Sequence, residues 1–139
     1  MCANLKNDDT SSFYVSQNSF VSVEDSILNA TVYTKENSFI TIEKTTINST
    51  NENVLDIYKN SLLETEDSNI NGRIDISFGS SWEDENGSIN CDNVNSCISA
   101  SNSSIKLENI SLDCLASYSC IDIHNSYLKI SYGTYNLSS

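Results

Sequence analysis

Four cysteines in the second half of the chain have the residue type and the regular spacing for covalent cross-linking. Cys91 and Cys97 are six residues apart, as are Cys114 and Cys120, and the second pair follows the first after 23 residues. Two disulfide pairings suit this spacing: a bridge inside each pair, or bridges that join one pair to the other across neighbouring repeats. We favour bridges inside each pair, because each pair encloses a short loop.

Zinc is the competing explanation for the four cysteines. Zinc sites usually hold ligand pairs with roughly two to four residues between them, often together with histidine. Here five residues separate the members of each pair, and the chain has one histidine, His124. The spacing therefore favours disulfides, which indicate a secreted or cell-surface protein. Cys2 is left without a predicted partner.

Asn-x-Ser/Thr sequons are a second indication of export and of glycosylation. They begin at Asn29, Asn48, Asn86, Asn102, Asn109 and Asn136. Several such tripeptides would arise by chance in a chain this rich in Asn, Ser and Thr. Asn29, Asn48 and Asn136 also belong to a repeated column of asparagines, where a side chain held by its neighbours is a poor glycan acceptor.

Carboxylates recur at one position along the chain and raise the question of a cation. The recurring residues are Glu24, Glu43, Glu66, Glu85 and Glu108. Carboxylates stacked at about 4.8 Å repel each other by roughly 1 kcal/mol per pair in water. Salt, Lys44 or bound calcium would relieve this repulsion, and the candidate calcium ligands are Glu24, Asp25, Glu66 and Asp67. A solvated turn is the plainer interpretation, and we favour it.

A column of apolar residues is the candidate for contact with a ligand or another chain. Its members are Phe20, Phe39, Leu62 and Tyr127, and Trp82 is added because it lies beside the acids Glu83 and Asp84. Exposed aromatic rings stack on sugars or form protein interfaces. We expect packing or assembly ahead of ligand binding.

The chain offers few residues for catalysis. A polysaccharide enzyme needs clustered carboxylates together with a basic residue that binds uronates or abstracts a proton. This sequence contains one arginine (Arg73), one histidine (His124) and six lysines. We expect His124 to be a turn residue. The sequence therefore predicts a protein that is not an enzyme and that needs no organic cofactor.

An internal repeat positions all of these residues. The dipeptide Asn-Ser recurs at intervals of 19 or 23 residues, with Gly79-Ser80 in register, at Asn18, Asn37, Asn60, Asn102 and Asn125. Apolar residues recur three, five and ten positions after this marker, and such alternation indicates β-strands. Each repeat then ends in another short strand. The pattern predicts an all-β parallel solenoid of about six coils of 19 or 23 residues, with three short strands per coil.

Two columns of asparagine support the same interpretation. One is the marker itself, and the other comprises Asn29, Asn48, Asn71, Asn90, Asp113 and Asn136. Asparagine tolerates the left-handed backbone that a sharp corner between strands requires. Stacked in register, its side-chain amides can also form a hydrogen-bonded ladder.

Coils of this length with stacked asparagine corners resemble the right-handed parallel β-helix of the pectate-lyase-like superfamily. The resemblance covers 13–139 and concerns the fold alone, and 1–12 is expected to be an irregular N-terminal segment. That superfamily includes polysaccharide lyases and hydrolases, viral tailspikes, adhesins and surface structural proteins. Fold alone does not choose among these functions.

Composition narrows the choice of partners. The formal net charge is −12, which disfavours nucleic acid and anionic lipid, and no apolar run is long enough to insert into a membrane. We predict a non-catalytic, extracellular structural or adhesive β-helix glycoprotein. Its partners would be glycans or other protein chains, in a surface filament, an appendage or a longer rod. The alternative is a carbohydrate-binding or polysaccharide-degrading β-helix.

Overall fold

The computed structural model describes residues 12–138, with the side chains of residues 50, 93 and 117 left aside. Within this range the chain is all-β, without a helix. The strands are β1 Ser12–Val15, β2 Phe20–Glu24, β3 Ile27–Asn29, β4 Thr31–Lys35, β5 Phe39–Glu43, β6 Thr46–Tyr58, β7 Leu62–Glu66, β8 Asn69–Ser77, β9 Ser81–Glu85, β10 Ser88–Ser101, β11 Ser104–His124 and β12 Tyr127–Ser138. The predicted irregular segment lies outside the described residues except for Ser12, as does Cys2.

Every strand pairing is parallel and joins equivalent segments of successive coils. The first sheet comprises β2, β5, β7, β9 and the starts of β11 and β12. The third sheet comprises β1, β4 and the ends of β6, β8, β10 and β11. Between them, the second sheet starts with β3 and continues through the first halves of β6, β8 and β10, the middle of β11 and the end of β12. These stacks make a parallel β-solenoid of about five turns, which confirms the predicted fold class.

The first coil has the predicted three separate strands, whereas in later coils neighbouring strands merge into longer ones. β2, β3 and β4 are distinct, whereas β6, β8 and β10 each run through the corner between the second and third sheets, and β11 runs through all three sheets. Six stacked segments in each sheet enclose about five complete turns, so the predicted six coils and the observed turns describe the same stack.

Alternating aliphatic side chains fill the inside of the solenoid. In β5 the inward residues Ile40 and Ile42 are buried, and their neighbours on both sides are less so. Equivalent positions stack from coil to coil, as in the series Ile47, Ile70, Ile89 and Leu112. Fully burying one such side chain stabilises the fold by about 1.5–3 kcal/mol, so the narrow core gains its stability from repetition.

The marker column forms the left-handed corner that the sequence predicted. Asn18, Asn37, Asn60, Asn102 and Asn125 have φ between 47° and 61°, and Gly79 takes φ 78° in the same column. Glycine has no steric cost in this region, and asparagine has a small one. The corner therefore explains the residue types of this column without any role for the amide group.

The second asparagine column is the hydrogen-bonded ladder. The Nδ2 of Asn48 donates to Oδ1 of Asn29 at 3.1 Å, Asn71 donates to Asn48 at 2.7 Å, and Asn90 donates to Asn71 at 3.1 Å. Asp113 interrupts this series, because a carboxylate has no N–H to donate to Asn90. The ladder resumes where Asn136 donates to Asp113 Oδ1 at 3.1 Å.

Candidate functional site

The four cysteines lie at the corner between the second and third sheets, where β10 and β11 carry additional residues. The structure joins Cys91 to Cys97 and Cys114 to Cys120, with Cα–Cα distances of 5.8 and 5.9 Å. These distances lie within the usual range of about 4.4–6.8 Å for a disulfide. Each bridge closes its own loop. Cys91 is also the register partner of Cys114, so the two closed loops stack on each other.

The register of β10 shows how the loops are accommodated. Ile98 pairs with Ile74 on one side and with Ile121 on the other, so the third sheet stays in register through the cysteine coils. The additional residues therefore bulge outward between the two sheets. In the outermost loop this exposes Leu115 and Tyr118, whose accessible fractions are 49% and 82%.

A polar notch opens beside the first disulfide loop. Residues 49–54 and 91–97 form long connections in β6 and β10, whereas Gly72 and Arg73 alone make the same connection in β8 between them. The short coil leaves a gap with a volume of about 530 Å³. Amides and carboxylates face this gap, namely Asn51, Asn71, Asn90, Asn95, Glu52 and Asp92. The order of the repeat lengths already placed a short coil between two long ones, but only the structure shows that a gap with these side chains opens there.

The predicted acidic column is in register along the first sheet. Pairing joins Glu24, Glu43, Glu66, Glu85 and Glu108 in that order. Together with Glu64 and Glu83 they line a shallow groove of about 440 Å³. Two lysines relieve the repulsion: Lys44 pairs with Glu43, and Lys106 Nζ lies 3.5 Å from Glu83. The pKa of Lys44 is raised, first by its hydrogen bond to Glu43.

Two of the four predicted calcium ligands have a backbone role at the next corner. Asp25 and Asp67 take left-handed φ values of 47° and 48°, as does Lys44 between them. Aspartate is among the few residues that tolerate this conformation. Within 12–138, no group of three or more His, Cys, Asp and Glu side chains has the arrangement of a metal site. Calcium binding by Glu24, Asp25, Glu66 and Asp67 stays a prediction.

Trp82 requires a correction, because the structure buries it completely. The strand alternation in β9 points Trp82 and Asp84 inward and their neighbours outward. The Trp82 indole Nε1 donates to Thr65 Oγ1 at 3.0 Å. Trp82 therefore packs in the core and is not available to a ligand or a second chain.

Asp84 is the buried carboxyl beside that indole, whereas the sequence had placed it with Glu83 among the surface acids next to Trp82. It is 2% exposed, its Oδ1 accepts from Thr65 Oγ1 at 2.7 Å, and its Oδ2 has no hydrogen-bond partner. Burial raises the pKa of Asp84 to about 6. The available signal was its place in a mostly apolar column, which contains Val23, Ile42, Leu107 and Ile130.

The other members of the predicted contact column lie on the outside of the first sheet, in two groups. Phe20, Phe39 and Leu62 are successive register partners, and the two phenyl rings lie 5.2 Å apart. Phe20 is 64% exposed. Ser81 and Ser104 then separate Leu62 from the exposed Tyr127. Only the first three form a common apolar patch.

The third sheet carries an aromatic cluster that sequence reasoning missed. Tyr14 and Tyr33 stack with ring centroids 4.6 Å apart and planes 7° apart. Lys35 Nζ lies 5.0 Å from the Tyr14 centroid and 5.8 Å from that of Tyr58. The signal was available in the alternation of these strands. The tyrosines lie at the positions between the inward apolar residues, so they were expected to point outward on the same face.

The predicted glycosylation sites fall into two structural sets. Asn86, Asn102 and Asn109 are exposed corner residues with positive φ, and the Asn109 amide donates to Asn86 Oδ1 at 2.8 Å. Asn29, Asn48 and Asn136 lie in the amide ladder described above. Asn48 and Asn136 each donate an amide N–H in that ladder, as Asn109 donates to Asn86, so hydrogen bonding alone does not rank the six sites.

The fold defines the described chain as a parallel β-solenoid with two disulfide-closed loops on one corner. No family model, no characterised protein and no solved structure matches the chain. In the range 12–138 there is no helix with the length and hydrophobicity needed to cross a bilayer.

Proposed function

We propose that this protein is a non-catalytic, extracellular structural or adhesive solenoid that is glycosylated and braced by disulfides. The observation that carries the proposal is the pair of stacked loops, each closed by its own disulfide. Disulfides persist in oxidising compartments. The resemblance to the pectate-lyase-like β-helix, with its adhesins and surface proteins, points in the same direction.

The architecture is better suited to holding side chains on its outer surface for contact with a partner than to enclosing a ligand. Backbone ladders and the asparagine ladder hold the coils at a fixed spacing, so residues on the outside keep fixed positions relative to each other. The loop closed by Cys114 and Cys120 presents Leu115 and Tyr118 to solvent on this rigid support. Tyrosine is a favoured contact residue at protein and glycan interfaces because its ring is large and its end is polar. This corner is therefore the adhesive surface, and glycans or other protein chains are its partners.

Adhesion through this corner can be tested with beads that carry the folded protein. We expect coated beads to be retained on extracellular matrix or on cells, and the double variant Leu115→Ser, Tyr118→Ser to lose most of that retention. Tyr132→Ser is the matched control, because Tyr132 is a similarly exposed tyrosine outside the disulfide loops. Equal retention of all three proteins, or of none, would contradict an adhesive role for the loops.

Carbohydrate binding is the second candidate function, and the polar notch favours it. The notch volume of about 530 Å³ lies within the range of about 300–1,000 Å³ that is common for small-molecule sites. Its amides and carboxylates are groups that pair with sugar hydroxyls.

A further inference from the structure

We propose that the notch between the two long connections binds a neutral saccharide unit of a glycan. The proposal rests on the carbohydrate-binding form of the proposed function and assigns it a site. The notch is floored by Asn71 and Gly72 of the short coil and walled by residues 49–52 and 90–95 of the coils on either side.

The loop lengths fix the shape of this site. The second and fourth coils project their long connections, whereas the third coil turns at once through Gly72 and Arg73. Gly72 takes φ 138°, and an added Cβ would lie 3.1 Å from Val54 Cβ. Glycine therefore allows the floor to stay low while the walls rise on both sides. The first disulfide holds one of those walls in place.

The hydrogen-bonding groups at the site have capacity for a ligand. Asn90 uses one N–H on Asn71 Oδ1. Asn71 uses one N–H on Asn48 and one lone pair on Asn90. Each primary amide has two N–H donors and two acceptor sites, so unused groups remain on both residues. Sugar hydroxyls both donate and accept, which matches such a mixture.

Arg73 acts as a positioning residue for one wall. Its Nη1 lies 2.6 Å from Glu52 Oε1, and its Nη2 lies 3.7 Å from Asp75 Oδ2. The Arg73 side chain is only 17% exposed, whereas Glu52 is 67% exposed. The largely buried guanidinium thereby holds an exposed carboxylate at the rim of the notch.

Charge selects the class of sugar. Glu52 and Asp92 give the lining two carboxylates, and the one nearby guanidinium is already engaged with Glu52. An anionic uronate or sialic acid would be repelled, whereas a neutral hexose or N-acetylhexosamine would not. Val94 adds an apolar surface for the C–H face of a sugar ring.

The test is a titration of isotope-labelled, folded protein followed through the side-chain amide resonances of its asparagines. The probes are D-glucose, D-galactose and N-acetyl-D-glucosamine, with D-glucuronate as the anionic counterpart. We expect at least one neutral sugar to shift the Asn71, Asn90 and Asn95 amides saturably, and glucuronate to shift them at least tenfold less at equal concentration. The remote amide of Asn18 should stay unchanged.

Three variants assign the binding to the notch. Asn95→Ala and Glu52→Gln should each weaken binding about tenfold, which is the usual effect of one lost hydrogen bond to a ligand. Glu64→Gln is the matched control for Glu52→Gln, because Glu64 is an exposed carboxylate on the first sheet, outside the notch, and its substitution should leave the affinity unchanged. Arg73→Lys should weaken binding, and the side-chain amide of Asn51, which lies in the same wall as Glu52, reports whether that wall keeps its conformation.

The outcomes distinguish this proposal from the broader one. Shifts that are absent with every neutral sugar, or that spread equally over remote amides, overturn the notch as a saccharide site. Equal responses to glucuronate and glucose overturn the charge argument. Bead retention and disulfide mapping are independent of these titrations, so the proposed extracellular role stands or fails separately.

Discussion

Asp84 accepts a hydrogen bond from Thr65 inside the solenoid, at 2.7 Å from Oγ1 to Oδ1, while its second oxygen has no partner. A carboxyl in this position is stable when protonated and costly when charged. The pair therefore couples the stability of the fold to pH.

Stability should fall as the pH rises through the range in which Asp84 ionises. Its pKa is raised from 3.8 to about 6, so the folded state binds the proton more tightly than the unfolded state. The stabilisation is fully present below about pH 4 and is lost between about pH 4 and 6. Asp84→Asn keeps the acceptor for Thr65 and removes the charge, and it should raise the free energy of unfolding at pH 7.5 by roughly 2–3 kcal/mol.

Urea denaturation of both proteins at pH 4.5 and pH 7.5 measures this effect. The gain from Asp84→Asn should shrink at the lower pH. Glu66→Gln serves as the control, because Glu66 is exposed in the acidic column. A pH dependence that is identical in Asp84→Asn and in the unmodified protein would contradict the assignment.

Trp82→Ala should be the most damaging aromatic substitution in the chain. Trp82 is completely buried, and removing a buried indole typically costs about 3–5 kcal/mol. Tyr127→Ala, at an exposed position of the same sheet, should change stability by no more than about 0.5 kcal/mol. Chemical denaturation of the two variants compares them directly, and similar losses would mean that the inward orientation of Trp82 is wrong.

The two asparagine columns should respond differently to substitution. Asn71→Ala removes one ladder bond as donor and one as acceptor and should cost about 1–3 kcal/mol. Asn37→Gly should be nearly neutral, because that column needs a left-handed backbone, which glycine adopts freely. Thermal melts would test this contrast. If Asn37→Gly were the more damaging change, the division of roles between the columns would be wrong.

Each disulfide should stabilise the fold modestly. Closing a loop with a sequence separation of six contributes about 2 kcal/mol on the loop-entropy estimate. The double substitution Cys114→Ser, Cys120→Ser should lower the free energy of unfolding by that amount. In this variant a reducing agent should act only through the remaining bridge between Cys91 and Cys97. An unchanged denaturation midpoint would show that this bridge does not constrain the unfolded chain.

The repeat was predictable because equivalent positions in successive coils of a solenoid have similar environments and therefore carry similar residues. The alternation at Ile40 and Ile42 can be read within a single coil, without knowing which segments pack against it. The same is true of a marker residue that tolerates positive φ. Trp82 was assigned to the surface because the acidic residues next to it in sequence suggested an exposed patch. Its position in the same column as the buried Ile40 and Leu63 predicts the inward orientation that the structure shows. The repeat lengths implied a short coil between two longer ones, but the size and lining of the notch depend on where the side chains of three successive coils lie, which the repeat pattern does not specify.

The most direct test of the central claim is disulfide mapping of the protein from its native source after cleavage with trypsin under non-reducing conditions. Cleavage after Lys106 separates Cys91 and Cys97 from Cys114 and Cys120. We predict two independent peptides, each with an internal bridge, and hexose mass on the peptides that contain Asn86, Asn102 or Asn109. A cross-linked pair of peptides would contradict the pairing within each coil. Free thiols on peptides without glycan would contradict the extracellular role itself.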